Sequence, residues 1–159
     1  MMPMAGTAQT TGIVWLDAVE MRAWRALLGA HGHLARSLDE ELQAAHGVSL
    51  LDHEVLIHLS EAPGGRLRMA DLANRVVMSR SGLTRRVDRL VDAGLARRIP
   101  CASDARGVWA ELTTSGRTQL EAASRTHVEG VRTHFVSKMT RTQLAQLAEA
   151  LEPVAGGAS

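Results

Sequence analysis

Apolar residues recur at helical spacing along most of this chain, and the pattern turns strand-like over only one short stretch. Residues 13–46 contain no proline. Leu16, Val19, Ala23, Leu27, Leu34, Leu38 and Leu42 follow one another mostly at three- and four-residue steps, which predicts one long helix. At about 1.5 Å per residue it would be roughly 50 Å long, more than a small globule covers, so part of it is expected to pack against another chain. Gly47 is placed to end it as a left-handed cap. Ser49, with Asp52 three residues on, then has the form of a capping box opening a second helix whose apolar face is Leu51, Val55, Leu56 and Leu59.

Pro63-Gly64-Gly65 breaks that helix, and Arg66-Leu67-Arg68 reads as a short extended piece. A short helix carrying Leu72, Ala73 and Val76 follows, then a turn around Val77-Met78. Ser79 is a good N-cap for the next helix, in which Leu83, Val87, Leu90 and Val91 face inward, and Gly94 is its expected C-terminal cap. Here the period changes. Residues 95–99 and 108–112 read as two strands, Val108, Ala110 and Leu112 alternating with Trp109 and Glu111, joined by a turn-rich tip. Helical spacing returns from Thr113 or Thr114 through Leu120, Ala123, Val131 and Phe135. A last helix opens with a second capping-box pattern, Thr140 to Gln143, and ends before Pro153. The expected fold is mainly α with a small β-hairpin.

Composition adds one asymmetry. The net charge is +1 over 159 residues. Between residues 66 and 106, however, ten arginines stand against four aspartates, a net +6, and the other eight basic and thirteen acidic residues leave −5 elsewhere. A basic middle between acidic flanks is the electrostatic footprint of a nucleic-acid-binding module. Lys138 is the lone lysine, and arginine's planar fork suits phosphate and guanine. No apolar run approaches the roughly 20 residues of a membrane span. The first twelve residues read as a disordered tail without the features of a signal peptide, and with one cysteine, Cys101, there is no internal disulfide; a cytoplasmic protein is expected.

Two short helices joined by a tight turn and followed by a hairpin form the layout of a winged helix-turn-helix, whose second helix enters the major groove. Arg80 and Thr84, Ser81 and Arg85, and Arg85 and Arg89 each lie one turn apart, opposite the Leu83/Val87/Leu90 stripe. Ser79-Arg80-Ser81-Gly82 puts small residues where a helix N-terminus can approach a phosphate. At the hairpin tip Asp104 and Arg106 fall on one side of an extended strand, so the carboxylate can orient a guanidinium suited to the minor groove.

The run Leu90-Val-Asp-Ala-Gly94-Leu95, with Arg97-Arg98, Asp104-Ala-Arg106-Gly107 and Leu112-Thr-Thr-Ser-Gly116, resembles the signature of the MarR (multiple antibiotic resistance regulator) family. Ser79 to Thr84 is similar to the start of that family's recognition helix, and the resemblance spans about residues 13–152. It implies a homodimeric regulator, more often a repressor, that binds a pseudo-palindromic promoter site in double-stranded DNA. Residues 13–48 would be an N-terminal dimerisation helix, 49–112 the winged helix-turn-helix and 113–153 the C-terminal dimerisation helices, with a tail at 154–159. Ser79, Arg80, Ser81, Thr84 and Arg85 would touch bases or nearby phosphates, Arg106 would be the wing arginine and Asp104 its anchor. Arg86, Arg89, Arg98 and Ser103 complete the candidate DNA-binding surface. The chain departs from the family pattern at Ala105, where arginine is frequent, and at Met69, where a small polar cap is common.

The resemblance also implies release by a small, often anionic aromatic ligand, for which Trp15, Trp24, His31 and His53 are the candidate lining, with Arg22 and Arg25 nearby. Tryptophan in such a helix also serves as plain packing. No cofactor or metal is expected. His31, His33, His46, His53, His58, His127 and His134 are scattered, whereas zinc needs three or four convergent ligands. Cys101 beside Arg98 could form a reactive thiolate, but a structural role is the expectation. A phosphate-binding glycine loop, an H-E-x-x-H and a glycine-flanked serine nucleophile are all missing, so an enzyme is not expected. A protein–protein adaptor would have no use for the +6 segment.

Overall fold

The computed structural model describes residues 13–102 and 107–156. The chain divides into two compact units, Met1–Gly32 and His33–Ser159, and the boundary falls within the first helix, α1 (Ala18–His46). The long helix therefore begins five residues later than its apolar period suggests. Asp17 Oδ1 accepts from the amides of Val19 (2.7 Å) and Glu20 (2.8 Å), while Glu20 accepts from the Asp17 amide at 2.8 Å. That reciprocal capping box starts the helix, and residues 13–17 precede it without regular structure. In the first unit Ile13, Val14, Trp15, Leu16, Val19, Trp24 and Leu28 are all at least half exposed.

The second unit follows the expected order. It contains α2 (Leu50–Glu61), a 3-10 turn (Pro63–Gly65), β1 (Arg66–Arg68), α3 (Met69–Arg75), α4 (Arg80–Asp92), β2 (Ala96–Pro100), β3 (Val108–Leu112), α5 (Thr114–His134) and α6 (Arg141–Leu151). Both predicted capping boxes are present, at Ser49/Asp52 and Thr140/Gln143. The start of α3 has no side-chain cap; Arg68 holds the position. The strands form one antiparallel sheet in the order β1-β3-β2, with Leu67 opposite Ala110 and Arg98 opposite Ala110 from the other side.

The core of this unit lies under the sheet, where Val55, Leu56 and Leu59 of α2, Leu72 of α3, and Leu83, Val87 and Leu90 of α4 meet Ala110 and Leu112 of β3 and Leu120 of α5. Two glycines allow close approaches. A Cβ on Gly116 would sit 2.0 Å from the Leu95 carbonyl oxygen, and one on Gly130 would sit 2.6 Å from Leu38 Cδ2. The turn between α3 and α4 is built differently. Val77 has φ 50° and is the one residue other than glycine, among those described, in the left-handed region.

Gly116→Ala forces a methyl group against backbone that has no room to yield. A loss of about 1–3 kcal/mol is expected, the usual range for overpacking, read as a lower urea midpoint at unchanged slope.

Candidate nucleic-acid interface

Helix α4 has a buried side and a polar side. Leu83, Val87 and Leu90 are at most 3% exposed, whereas Ser79, Arg80, Ser81, Thr84, Arg85 and Arg89 are exposed. Its first turn is fixed by Ser79, whose Oγ accepts from the Gly82 amide at 3.1 Å. Gly94 ends it with φ 72°, and the Leu95 amide reaches back to the Leu90 carbonyl at 2.8 Å, a Schellman closure. Among the described residues no ion pair engages Arg80 or Arg85. Their charge is presented outward.

Arg86 is placed otherwise. Expected on the DNA-binding surface, it turns inward, its side chain 17% exposed, and donates to Ser49 Oγ and to Asp52 Oδ1, each at 2.8 Å. Arg89 adds a longer contact to the same carboxylate oxygen, at 3.3 Å, from a side chain that is 62% exposed. The cause lies in the register: Arg86 follows Leu83 by three and precedes Val87 by one, on the flank of the buried stripe. Asp52 is 8% exposed, and burial alone would raise its pKa. Hydrogen bonds from Ser49 and Arg86 and the charge of Arg86 outweigh that and hold it below the ordinary carboxylate value. The capping box of α2 is thus also the seat of α4.

Arg98 of β2 donates to the Thr84 carbonyl at 3.3 Å and pairs with Asp88 at 2.8 Å, joining the hairpin to α4. On the outer face of the sheet Arg97 pairs with Glu111, and the Arg66 and Arg68 guanidinium groups lie 5.2 and 5.4 Å from the Trp109 ring centre. Cys101 is buried, and a guanidinium nitrogen of Arg68 donates to its Sγ at 3.3 Å. Ser103, Asp104 and Arg106 lie outside the described residues, so the wing-tip expectation falls there. Between α3, α4 and the hairpin is an open cavity of about 390 Å³ lined by Arg68, Arg80, Leu83, Thr84, Arg98 and Val108 among others.

Of the expected effector-binding residues, Trp15, Trp24 and His31 lie in the first unit, with Trp15 81% and Trp24 51% exposed. His53 lies in the second and is buried at 2%. Its Nε2 is 3.1 Å from Ser124 Oγ, and its ring stacks at a tilt on His127, 4.9 Å between centres. His46 Nε2 is 2.8 Å from Thr126 Oγ1. These imidazoles join α2 and the end of α1 to α5. Among the described residues no three His, Cys, Asp or Glu side chains form a group that could hold a metal ion. No helix there is long and apolar enough to cross a membrane.

A tri-helical core, a helix-turn-helix with an exposed polar second helix and a three-stranded wing sheet define a winged helix-turn-helix protein. The chain belongs to the MarR family: residues 46–107 match that family's model, and two of its solved members are more than 30% identical over nearly their whole length. It is similar to AbsC, a MarR family transcriptional regulator from Streptomyces coelicolor, at 38% identity over 91% of this chain and 97% of that one, with a TM-score of 0.84. Sco3205, a MarR family transcriptional regulator from the same organism in complex with DNA, is 36% identical over 92% of each chain, with a TM-score of 0.85. The HTH-type transcriptional regulator PecS of Dickeya dadantii (strain 3937) is 36% identical over 63 residues, which span 40% of this chain and 38% of PecS.

Burial holds His53 neutral, with its neighbours His127 and His46 adding repulsion, so that its pKa falls from 6.5 to about 4; burial also lowers that of His127. The unfolded chain therefore takes up protons that the folded one refuses. The contribution of His53 to stability is fully present above pH 6.5 and declines as pH falls toward 4, with a slope approaching about 1.4 kcal/mol per pH unit, and the lowered pKa of His127 acts in the same direction. Urea denaturation at pH 7 and pH 5 should show this loss, and His53→Gln should flatten it.

Proposed function

We propose that the chain is a DNA-binding transcriptional regulator that acts as a homodimer, each copy presenting α4 to the major groove of one half of a pseudo-palindromic promoter site. The observation that carries this reading is the exposed row Ser79, Arg80, Ser81, Thr84 and Arg85 on a helix whose opposite side is locked into the core. Arg80 and Arg85 have no protein carboxylate to satisfy among the described residues, and phosphates or guanine edges are the chemistry they fit. The DNA complex of Sco3205 supports the same reading. Arg86 belongs to the support of α4, Arg89 and Arg98 to its rim, and Asp104 with Arg106 to the wing.

The homodimer is supported by apolar surface that an isolated chain leaves in water. The first unit carries Trp15, Leu16, Val19, Trp24 and Leu28 exposed, and α6 buries none of its residues although Leu144, Leu147 and Leu151 share one side of it. A small anionic, aromatic effector suits the cavity that shares Arg80, Thr84 and Arg98 with the DNA-facing surface. Its binding would then compete with DNA, which favours repression relieved by ligand. The protein works in the cytoplasm, on the nucleoid when bound.

Sedimentation should give about twice the chain mass of 17.1 kDa, and Leu144→Asp with Leu147→Asp should halve it and abolish DNA binding. Selection of bound genomic fragments should yield a site with two half-sites about one helical turn apart, roughly 10 base pairs. On that site Arg85→Ala and Arg106→Ala should each weaken binding by about 1–3 kcal/mol per half-site. Wild-type protein that binds no duplex, or binds without salt dependence, overturns the reading.

A further inference from the structure

The residue that joins α3 to α4 is strained, apolar and exposed at once. Val77 has φ 50°, where the other positive values among the described residues belong to Gly47, Gly64, Gly65, Gly94 and Gly156. A β-branched side chain in the left-handed region crowds the backbone carbonyl and is a true outlier. The residue is 92% exposed, so packing within the chain does not offset that strain.

The conformation is nevertheless held. The Met78 amide donates to the Ala73 carbonyl at 3.0 Å and the Val77 amide to that of Asn74 at 3.4 Å. On either side, Val76 is buried at 6% and Met78 packs against the core. Gly82 lets Met78 lie against the first turn of α4, since a Cβ there would meet Met78 Cγ at 3.2 Å and Ser79 Oγ at 3.0 Å. The turn and the helix start are therefore packed directly against each other. Val77 stands two residues before the N-cap Ser79, beside the exposed Ser79-Arg80-Ser81 row.

We infer that Val77 is a specificity-determining residue, an apolar contact that reads the C5-methyl group of a thymine at the edge of each half-site. This rests on the proposed docking of α4 in the major groove. An isopropyl group cannot bond a phosphate, and the apolar feature a base pair presents in that groove is the thymine methyl. Backbone strain kept at a solvent-facing position is expected where a partner makes use of it.

The test uses the full-length protein and a duplex selected by it from a random-sequence pool, together with copies in which single thymines are replaced by 2′-deoxyuridine. Val77→Gly and Val77→Asn, both at ease with positive φ, should melt at the same temperature as wild type or a few degrees higher. Both should bind the thymine duplex about fourfold more weakly per half-site, the worth of one methyl group removed from water. Uracil at one symmetric pair of positions should weaken wild type by the same factor and leave Val77→Gly unaffected. Equal affinity of Val77→Gly and wild type for the thymine duplex overturns the inference. So does a loss that is the same on thymine and uracil duplexes at every position. If wild type selects no duplex at all, the DNA-binding reading fails, and this inference with it.

Discussion

Arg86 reaches from the middle of α4 to the first turn of α2, where its guanidinium donates to Ser49 and Asp52 together. Those same two side chains close the α2 capping box, Ser49 Oγ accepting from the Asp52 amide and Asp52 accepting from the Ser49 amide. One carboxylate thus satisfies the N-cap amide of one helix and holds the guanidinium that anchors another. With Arg86 anchored, Leu83, Val87 and Leu90 stay in the core and Arg80, Thr84 and Arg85 stay in solvent. A change of angle here would re-aim the polar row without altering any residue in it.

Helix α2 is consequently the element through which the parts of the second unit communicate. Toward α4 it presents Asp52; toward α5 it presents His53, packed on His127 and bonded to Ser124. The Leu50 amide is held by Asp39 of α1 at 2.8 Å, and the His46 carbonyl by Gln119 of α5 at 2.9 Å. The polar contacts around α2 are part-buried and satisfied, with two exceptions among the described side chains, Arg86 Nε and His127 Nδ1. Buried polar networks of this kind specify one arrangement more than they add stability, and losing a single partner leaves the others desolvated.

Much of this architecture was legible in the sequence because it rests on local rules. The capping boxes at Ser49 and Thr140, the Gly94 cap and the change of period at residue 95 each mark a boundary that the structure respects. The start of α1 differs from the sequence expectation because Ile13 to Leu16 prolong the apolar pattern, while Asp17 and Glu20, which end it, are two ordinary acids three positions apart. The exposed row on α4 followed from its spacing, but the inward turn of Arg86 did not. It depends on a carboxylate 34 residues earlier, a tertiary pairing that no periodicity announces. Val77 was missed for the opposite reason: its side chain disfavours the conformation it adopts, so propensity argued against the very feature that marks it. The effector lining drawn from Trp15, Trp24, His31 and His53 combined residues of both units, one of them buried, and an exposed cavity beside Arg80 and Arg98 was not foreseen.

The claim on which the rest depends is that Arg86 and Asp52 act as one unit to seat α4. A double-mutant cycle with Asp52→Asn and Arg86→Gln, read by the free energy of binding to the selected duplex at a temperature where every variant is folded, tests it directly. The account predicts that each single substitution weakens binding by about 1–3 kcal/mol and that the double variant loses little more than either alone. Additive losses, or an Arg86→Gln effect that persists in full when Asp52 is already neutral, would place Arg86 on the DNA instead and contradict the account.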